Sequence, residues 1–134
     1  MRLIEDSALD ILNESEVVYG ARAGVSRQKV ADIMAITGFT LNEMGHYMHV
    51  APRTLQRKLP NEKLSPDISE KVLLIQNLYI KGPKAMGTLA AFQDWMNTPS
   101  IALDGAKPKD FLDTYSGMEY IMQELGRIEH GFFA

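Results

Sequence analysis

Glu43, His46 and His49 stand three residues apart from one another, a spacing that could set a carboxylate and two imidazoles on one helical face and so hold a metal ion. The local sequence argues against it. His49 falls where a turn is expected, Glu43 has a capping role with Thr40, and no further ligand lies nearby. His130 stands alone near the end of the sequence, and spacing places no serine or carboxylate beside it as a catalytic partner. The chain has no cysteine, which removes thiolate ligands, thiol nucleophiles and disulfides. It has no phosphate-binding glycine loop. No catalytic residue, metal site or cofactor is therefore expected, and the chain reads as a binding protein rather than an enzyme.

The side chains with the strongest chemical profile are Arg53, Thr54, Gln56, Arg57 and Lys58. Cations and amides of these types contact phosphate oxygens and read base edges, arginine pairing with guanine and glutamine with adenine. Residues 21–63 carry a local charge of +4, whereas the whole chain is at −3, which leaves the remainder at −7. A basic segment inside an acidic protein indicates two surfaces with different partners, one of them a phosphate backbone. If the helices here serve only for packing, the same cations form a solvated face.

These residues need a scaffold. The chain has 134 residues, 46% apolar and 23% charged, enough for a substantial core and ordinary for a globular protein. No apolar run approaches the length that spans a bilayer, and the first residues do not form a signal peptide. A cytoplasmic location is expected.

Helical periodicity dominates and no run alternates with period two, so the fold is expected to be all-α. Residues 1–20 hold a poorly capped apolar pattern with Leu9, Ile11, Leu12, Val17 and Val18. Ser26 caps a helix whose stripe is Val30, Ile33, Met34 and Ile36 and which ends at Gly38. Thr40 and Glu43 then form a capping box, and Leu41, Met44, Tyr47 and Met48 supply a buried face.

With a further helix beginning at Pro52, residues 41–59 have helix-turn-helix spacing. Met44 and Met48 should face inward, Gly45 should permit close approach, Val50 should plug the turn, and Leu55 and Leu59 should anchor the second helix. His49 departs from the usual glycine at the left-handed turn position, which implies a looser or differently shaped turn.

Beyond this, Ser65-Pro66-Asp67 starts a strong helix expected to run to about Lys81. Its Ile68, Val72, Leu73, Ile75, Leu78, Tyr79 and Ile80 cover more circumference than one monomer core needs, so a dimer interface is expected there. Further helices are expected from Pro83 to Met96, from Pro108 to Thr114, and from a capping box at Ser116–Glu119 to Gly131. Two domains follow: residues 1–63 with the helix-turn-helix at about 40–59, and residues 64–134 as a helical dimerisation and partner-binding domain. Phe132 and Phe133 cannot both pack well against their own helix so near its end, which marks them as candidate anchors for another molecule; the alternative is that both fold back onto the core.

Residues 39–134 resemble the Xre/MbcA/ParS family of antitoxins. The resemblance rests on Pro52-Arg53-Thr54-Leu55-Gln56-Arg57, Leu64-Ser65-Pro66, Trp95-Met96-Asn97-Thr98-Pro99 and Ala102-Leu103-Asp104-Gly105. It continues through Pro108, Thr114, Gly117 and Gly126-Arg127-Ile128-Glu129-His130-Gly131. It implies an Xre-like helix-turn-helix region joined to a C-terminal toxin-binding domain, and a cognate toxin of the RES type that consumes NAD or uses it to ADP-ribosylate a target.

The resemblance further implies that the antitoxin occludes the toxin's NAD pocket with its C-terminal end. Phe132, Phe133 and Ala134 would then enter the pocket, with Arg127, Glu129, His130 and Gly131 orienting them, while Trp95, Leu103 and Gly105 serve structure. Binding of its own operator as a homodimer, with autorepression, completes the expectation. The alternative is a stand-alone dimeric helix-turn-helix regulator without a toxin partner.

Overall fold

The computed structural model describes residues 11–131. Leu9 of the first apolar pattern and the terminal Phe132, Phe133 and Ala134 lie outside the described residues. Seven α-helices make up the described chain: α1 Glu14–Ala23, α2 Arg27–Thr37, α3 Leu41–Met48, α4 Pro52–Arg57, α5 Pro66–Met86, α6 Leu89–Met96 and α7 Tyr115–Glu129. Short 3₁₀ turns at Ile101–Leu103 and Pro108–Phe111 lie between α6 and α7. Among the described residues the only strand-like pairing is an isolated bridge between Ser26 and Lys63, and the all-α expectation holds.

Two compact units divide the chain between Asn77 and Leu78, inside α5, whereas the expected border is at 63/64. The difference comes from polar groups on α5. The Ser69 hydroxyl, fully buried, accepts from the Val25 N–H at 2.9 Å and donates to the Leu64 carbonyl at 3.3 Å. The Asn77 side chain accepts from the Leu12 N–H at 2.8 Å and donates to the Leu12 carbonyl at 3.1 Å. These bonds tie the first three turns of α5 into the N-terminal unit, because a buried amide without a partner would cost a hydrogen bond.

Local chemistry sets most helix starts. α1 is better capped than its apolar pattern indicates: Asn13 accepts from the Glu16 N–H at 2.9 Å, and the Glu16 carboxylate accepts from the Asn13 N–H at 3.0 Å. Ser26 caps α2, and Gly38 ends it in the left-handed region with φ of 77°. Thr40 and Glu43 make the expected box on α3, with distances of 3.0 and 3.1 Å. Ser65 accepts from the Ile68 N–H at 3.3 Å at the start of α5.

Three expectations are corrected. Pro83 lies inside α5 and does not open a helix; α6 starts from Thr88, which accepts from the Ala91 N–H at 3.0 Å. Proline near the last turn removes a single ladder bond, and packing of the surrounding turns outweighs that loss. The segment after Pro108 makes only a 3₁₀ turn to Phe111. The cap of α7 is Thr114, not Ser116: its hydroxyl accepts from the Gly117 N–H at 2.9 Å. Gly117 is there for space, since a Cβ would overlap the Phe111 carbonyl oxygen.

Most of the apolar girth of α5 is covered within the chain. Val72, Leu73, Ile75, Leu78, Tyr79 and Ile80 are all buried within one chain, so its apolar circumference does not itself call for a dimer. In the C-terminal unit the core includes Leu78, Tyr79, Ile80, Phe92, Met96, Leu103, Leu112, Met118, Ile121 and Leu125. Tyr79 and Phe92 meet edge to face with ring centroids 4.8 Å apart, a preferred aromatic geometry. No helix of the described residues is long and apolar enough to cross a membrane.

Candidate functional site

In the N-terminal unit, α3 packs against α4 across a three-residue turn, His49 to Ala51. Met44 and Met48 are buried, as the pattern requires, and Leu55 is 0% exposed. Gly45 permits the approach: a Cβ there would lie 2.6 Å from the Val50 carbonyl oxygen and 3.1 Å from Pro52 Cγ.

His49 does not loosen the turn. It adopts the left-handed conformation itself, with φ of 57°. Its N–H donates to the His46 carbonyl at 3.4 Å, and the Val50 N–H donates to the Gly45 carbonyl at 2.9 Å. That pair is a complete Schellman closure, which satisfies the carbonyls that a helix end leaves open. Histidine is among the residues that tolerate this backbone region better than bulky or branched ones. His46 is exposed on α3 while His49 sits in the turn, so the two are not on one regular helical face.

Pro52 opens α4, whose missing N–H is lost at no cost in the first turn. Arg53, Thr54, Gln56 and Arg57 are exposed around buried Leu55, and Lys58 is half-buried just beyond the helix. Lys58 is engaged locally, its Nζ lying 3.2 Å from a Glu62 oxygen. The Leu59 backbone N–H and Lys58 together hold the Glu62 carboxyl below its ordinary range.

Leu59 is not the anchor expected of it: α4 ends at Arg57 and Leu59 is 65% exposed. The residue before a proline is kept out of helical geometry, and Pro60 does that to Leu59. The anchor is instead Arg27, whose Nε donates to the Leu55 carbonyl at 2.7 Å and ties the end of α4 to α2. No feature of the sequence pattern picks out Arg27 for that role. The segment after α4 returns along α2, with the Arg27 N–H donating to the Glu62 carbonyl at 2.9 Å and the Gln28 N–H to the Pro60 carbonyl at 2.9 Å. Nearby, burial lowers the Lys29 ammonium pKa, opposed in part by Asp32.

In the C-terminal unit, Arg127, Glu129, His130 and Gly131 come together at the end of α7 and all are exposed. Two of them are already paired. Arg127 lies against Glu124, one turn earlier, and the Lys81 ammonium meets Glu129 at 3.0 Å. The hydrogen bond and charge of Lys81 hold the Glu129 carboxyl below its usual range. Lys81 is distant in sequence, and its part in this surface is not legible there. Phe132, Phe133 and Ala134, the remaining candidates, lie outside the described residues.

Leu103 is buried and fills the loop after α6, while Gly105 takes a positive φ of 85°, both structural roles as expected. Trp95 is partly buried and stacks near Phe92 at 6.1 Å.

Residues 16–77 match the model of the antitoxin Xre-like helix-turn-helix domain. Residues 85–131 match the model of the antitoxin Xre/MbcA/ParS C-terminal toxin-binding domain. A comparison with curated proteins finds no match. The two matches follow one another along most of the chain, each within a unit whose helices and turns are described above. The chain therefore belongs to the Xre/MbcA/ParS family of antitoxins, with a helix-turn-helix domain followed by a toxin-binding domain.

Proposed function

We propose that this antitoxin neutralises a toxin of the RES type, one that consumes NAD or uses it to ADP-ribosylate a target, by covering the entrance to the toxin's NAD pocket. The observation that carries the reading is the toxin-binding match over residues 85–131, which includes the exposed last turn of α7. Arg127, Glu129, His130 and Gly131 would contact the toxin at the rim, and Phe132, Phe133 and Ala134 would enter it as apolar anchors. Inhibition is steric, so the antitoxin supplies no catalytic group and needs no cofactor.

The N-terminal unit would bind the operator of its own operon and repress it. Arg53, Thr54, Gln56, Arg57 and Lys58 are the residues proposed to touch DNA. A six-residue α4 offers few base contacts, which favours a homodimer presenting two such helices to a palindromic site.

Both parts are tested with purified chain. Titration into a RES-type toxin should abolish NAD loss at a fixed stoichiometry, and titration into operator DNA should give saturable, sequence-selective binding. DNA binding without toxin binding would favour a stand-alone regulator and overturn the first part.

A further inference from the structure

One side chain in the C-terminal unit is exposed in a way its surroundings do not require. Ile101 is 97% exposed, the greatest exposure among the large apolar residues described. It lies in the loop between α6 and the Pro108–Phe111 turn, inside the toxin-binding match.

Single exposed apolar residues are common and say little alone. Here the backbone beneath is fixed. The Ser100 N–H donates to the Ala106 carbonyl at 2.9 Å, and the Gly105 N–H donates back to the Ser100 carbonyl at 2.8 Å. The Leu103 N–H reaches the Ser100 carbonyl and the Asp104 N–H the Ile101 carbonyl, each at 3.1 Å. Asp104 and Gly105 hold the left-handed conformations that close the loop, with φ of 56° and 85°. Leu103, two residues on, is buried and pins the loop to its unit, whereas Ile101 and its neighbours Pro99 and Ala102 are exposed.

A β-branched side chain loses little freedom when it is docked, and a hydrogen-bonded loop has already lost its own. Burial of such a preset aliphatic group in a partner's apolar pocket is what binding anchors do.

We propose that Ile101 is a second toxin anchor, separate from the chain's last residues, which seats in an apolar pocket on the toxin. The inference rests on the toxin-binding reading above. It adds a contact in the loop after α6 to one at the end of α7.

The test measures the affinity of the full chain for a RES-type toxin, comparing wild type with Ile101→Ser, Ile101→Val and Leu59→Ser. Leu59 is a control from the other unit, also exposed. Ile101→Ser should weaken binding about tenfold or more, an effect of hot-spot size, with an unchanged thermal midpoint. Ile101→Val should retain most of the affinity and Leu59→Ser all of it. Tight wild-type binding with an equal Ile101→Ser affinity would overturn the anchor and leave the toxin-binding reading standing. An equal loss on Leu59→Ser would also overturn it, since the effect would then be general stickiness. Absence of wild-type binding would remove both.

Discussion

The Val50 N–H donates to the Gly45 carbonyl at 2.9 Å, and the Val50 carbonyl oxygen lies only 2.6 Å from where a Gly45 Cβ would stand. The two residues thus fix the angle between α3 and α4 from both sides. The bond closes the helix end, and the missing side chain allows the turn to fold back over it. His49 lies between them in the left-handed region and makes the reversal possible without glycine.

Gly45→Ala should destabilise the N-terminal unit by about 1–3 kcal/mol, the usual range for an added methyl group in a packed site. The Val50 backbone cannot move away without giving up the closing bond. His49→Gly should act in the opposite sense, stabilising by up to about 1 kcal/mol as the cost of a left-handed Cβ is removed, partly offset by glycine's greater freedom when unfolded. Urea unfolding of both variants checks the pair, and a stabilising Gly45→Ala would contradict this geometry.

Ser69→Ala should remove the acceptor for the Val25 N–H and leave that group without its partner at the junction of α1 and α2. The expected loss is about 1–3 kcal/mol of stability, large for so small a truncation. Hydrogen exchange at the Val25 amide should rise more than at amides of the C-terminal unit. Equal rises in both units would mean that the bond does not act locally.

Much of this fold was legible because caps are local. Thr40 with Glu43, Ser26, Ser65 and Gly38 can each be read from a few neighbouring residues. The misses have particular causes. Asn13 and Glu16 form a box in a segment whose apolar pattern gives little sign of a helix start. Pro83 has the profile of a helix start, since proline favours first turns, yet tertiary packing carries α5 past it. Leu59 has the spacing of an anchor, but Pro60 disfavours a helical conformation there.

The candidate DNA surface was legible for a similar reason, since α4 is short and one buried residue, Leu55, fixes which side chains face out. The contacts that position it were not. Arg27 and Leu55 are 28 residues apart, and Lys81 and Glu129 are 48 apart. No periodicity carries such information.

Operator binding should depend on salt through the cations of α4. Arg53→Gln and Arg57→Gln should each lower the slope of log K against log salt by about 1 if they contact phosphate, and weaken all sequences alike. A loss of selectivity at one base pair would instead assign that arginine to base reading. No change in either variant would exclude α4 from the DNA surface.

The Glu129 carboxyl should titrate below the ordinary carboxylate range, because the Lys81 ammonium donates to it and stabilises its charged form. A depressed pKa means that the pair's contribution is present above the unfolded value and is lost as pH falls through the folded one. Lys81→Met should return Glu129 to its usual titration, read by carboxyl chemical shifts in NMR. The difference in stability between this variant and the wild type should vanish in acid. A Glu129 midpoint unmoved by Lys81→Met would show that the pair does not form in solution.

As proposed above, this chain disarms a toxin that acts through NAD. Its most direct test is cellular NAD in bacteria expressing a RES-type toxin encoded beside this chain, alone, with the intact antitoxin, and with a version truncated after Gly131. NAD should collapse with toxin alone, stay normal with the intact chain, and fall again with the truncated one even where it still copurifies with the toxin. NAD that collapses equally with and without the intact chain would contradict it.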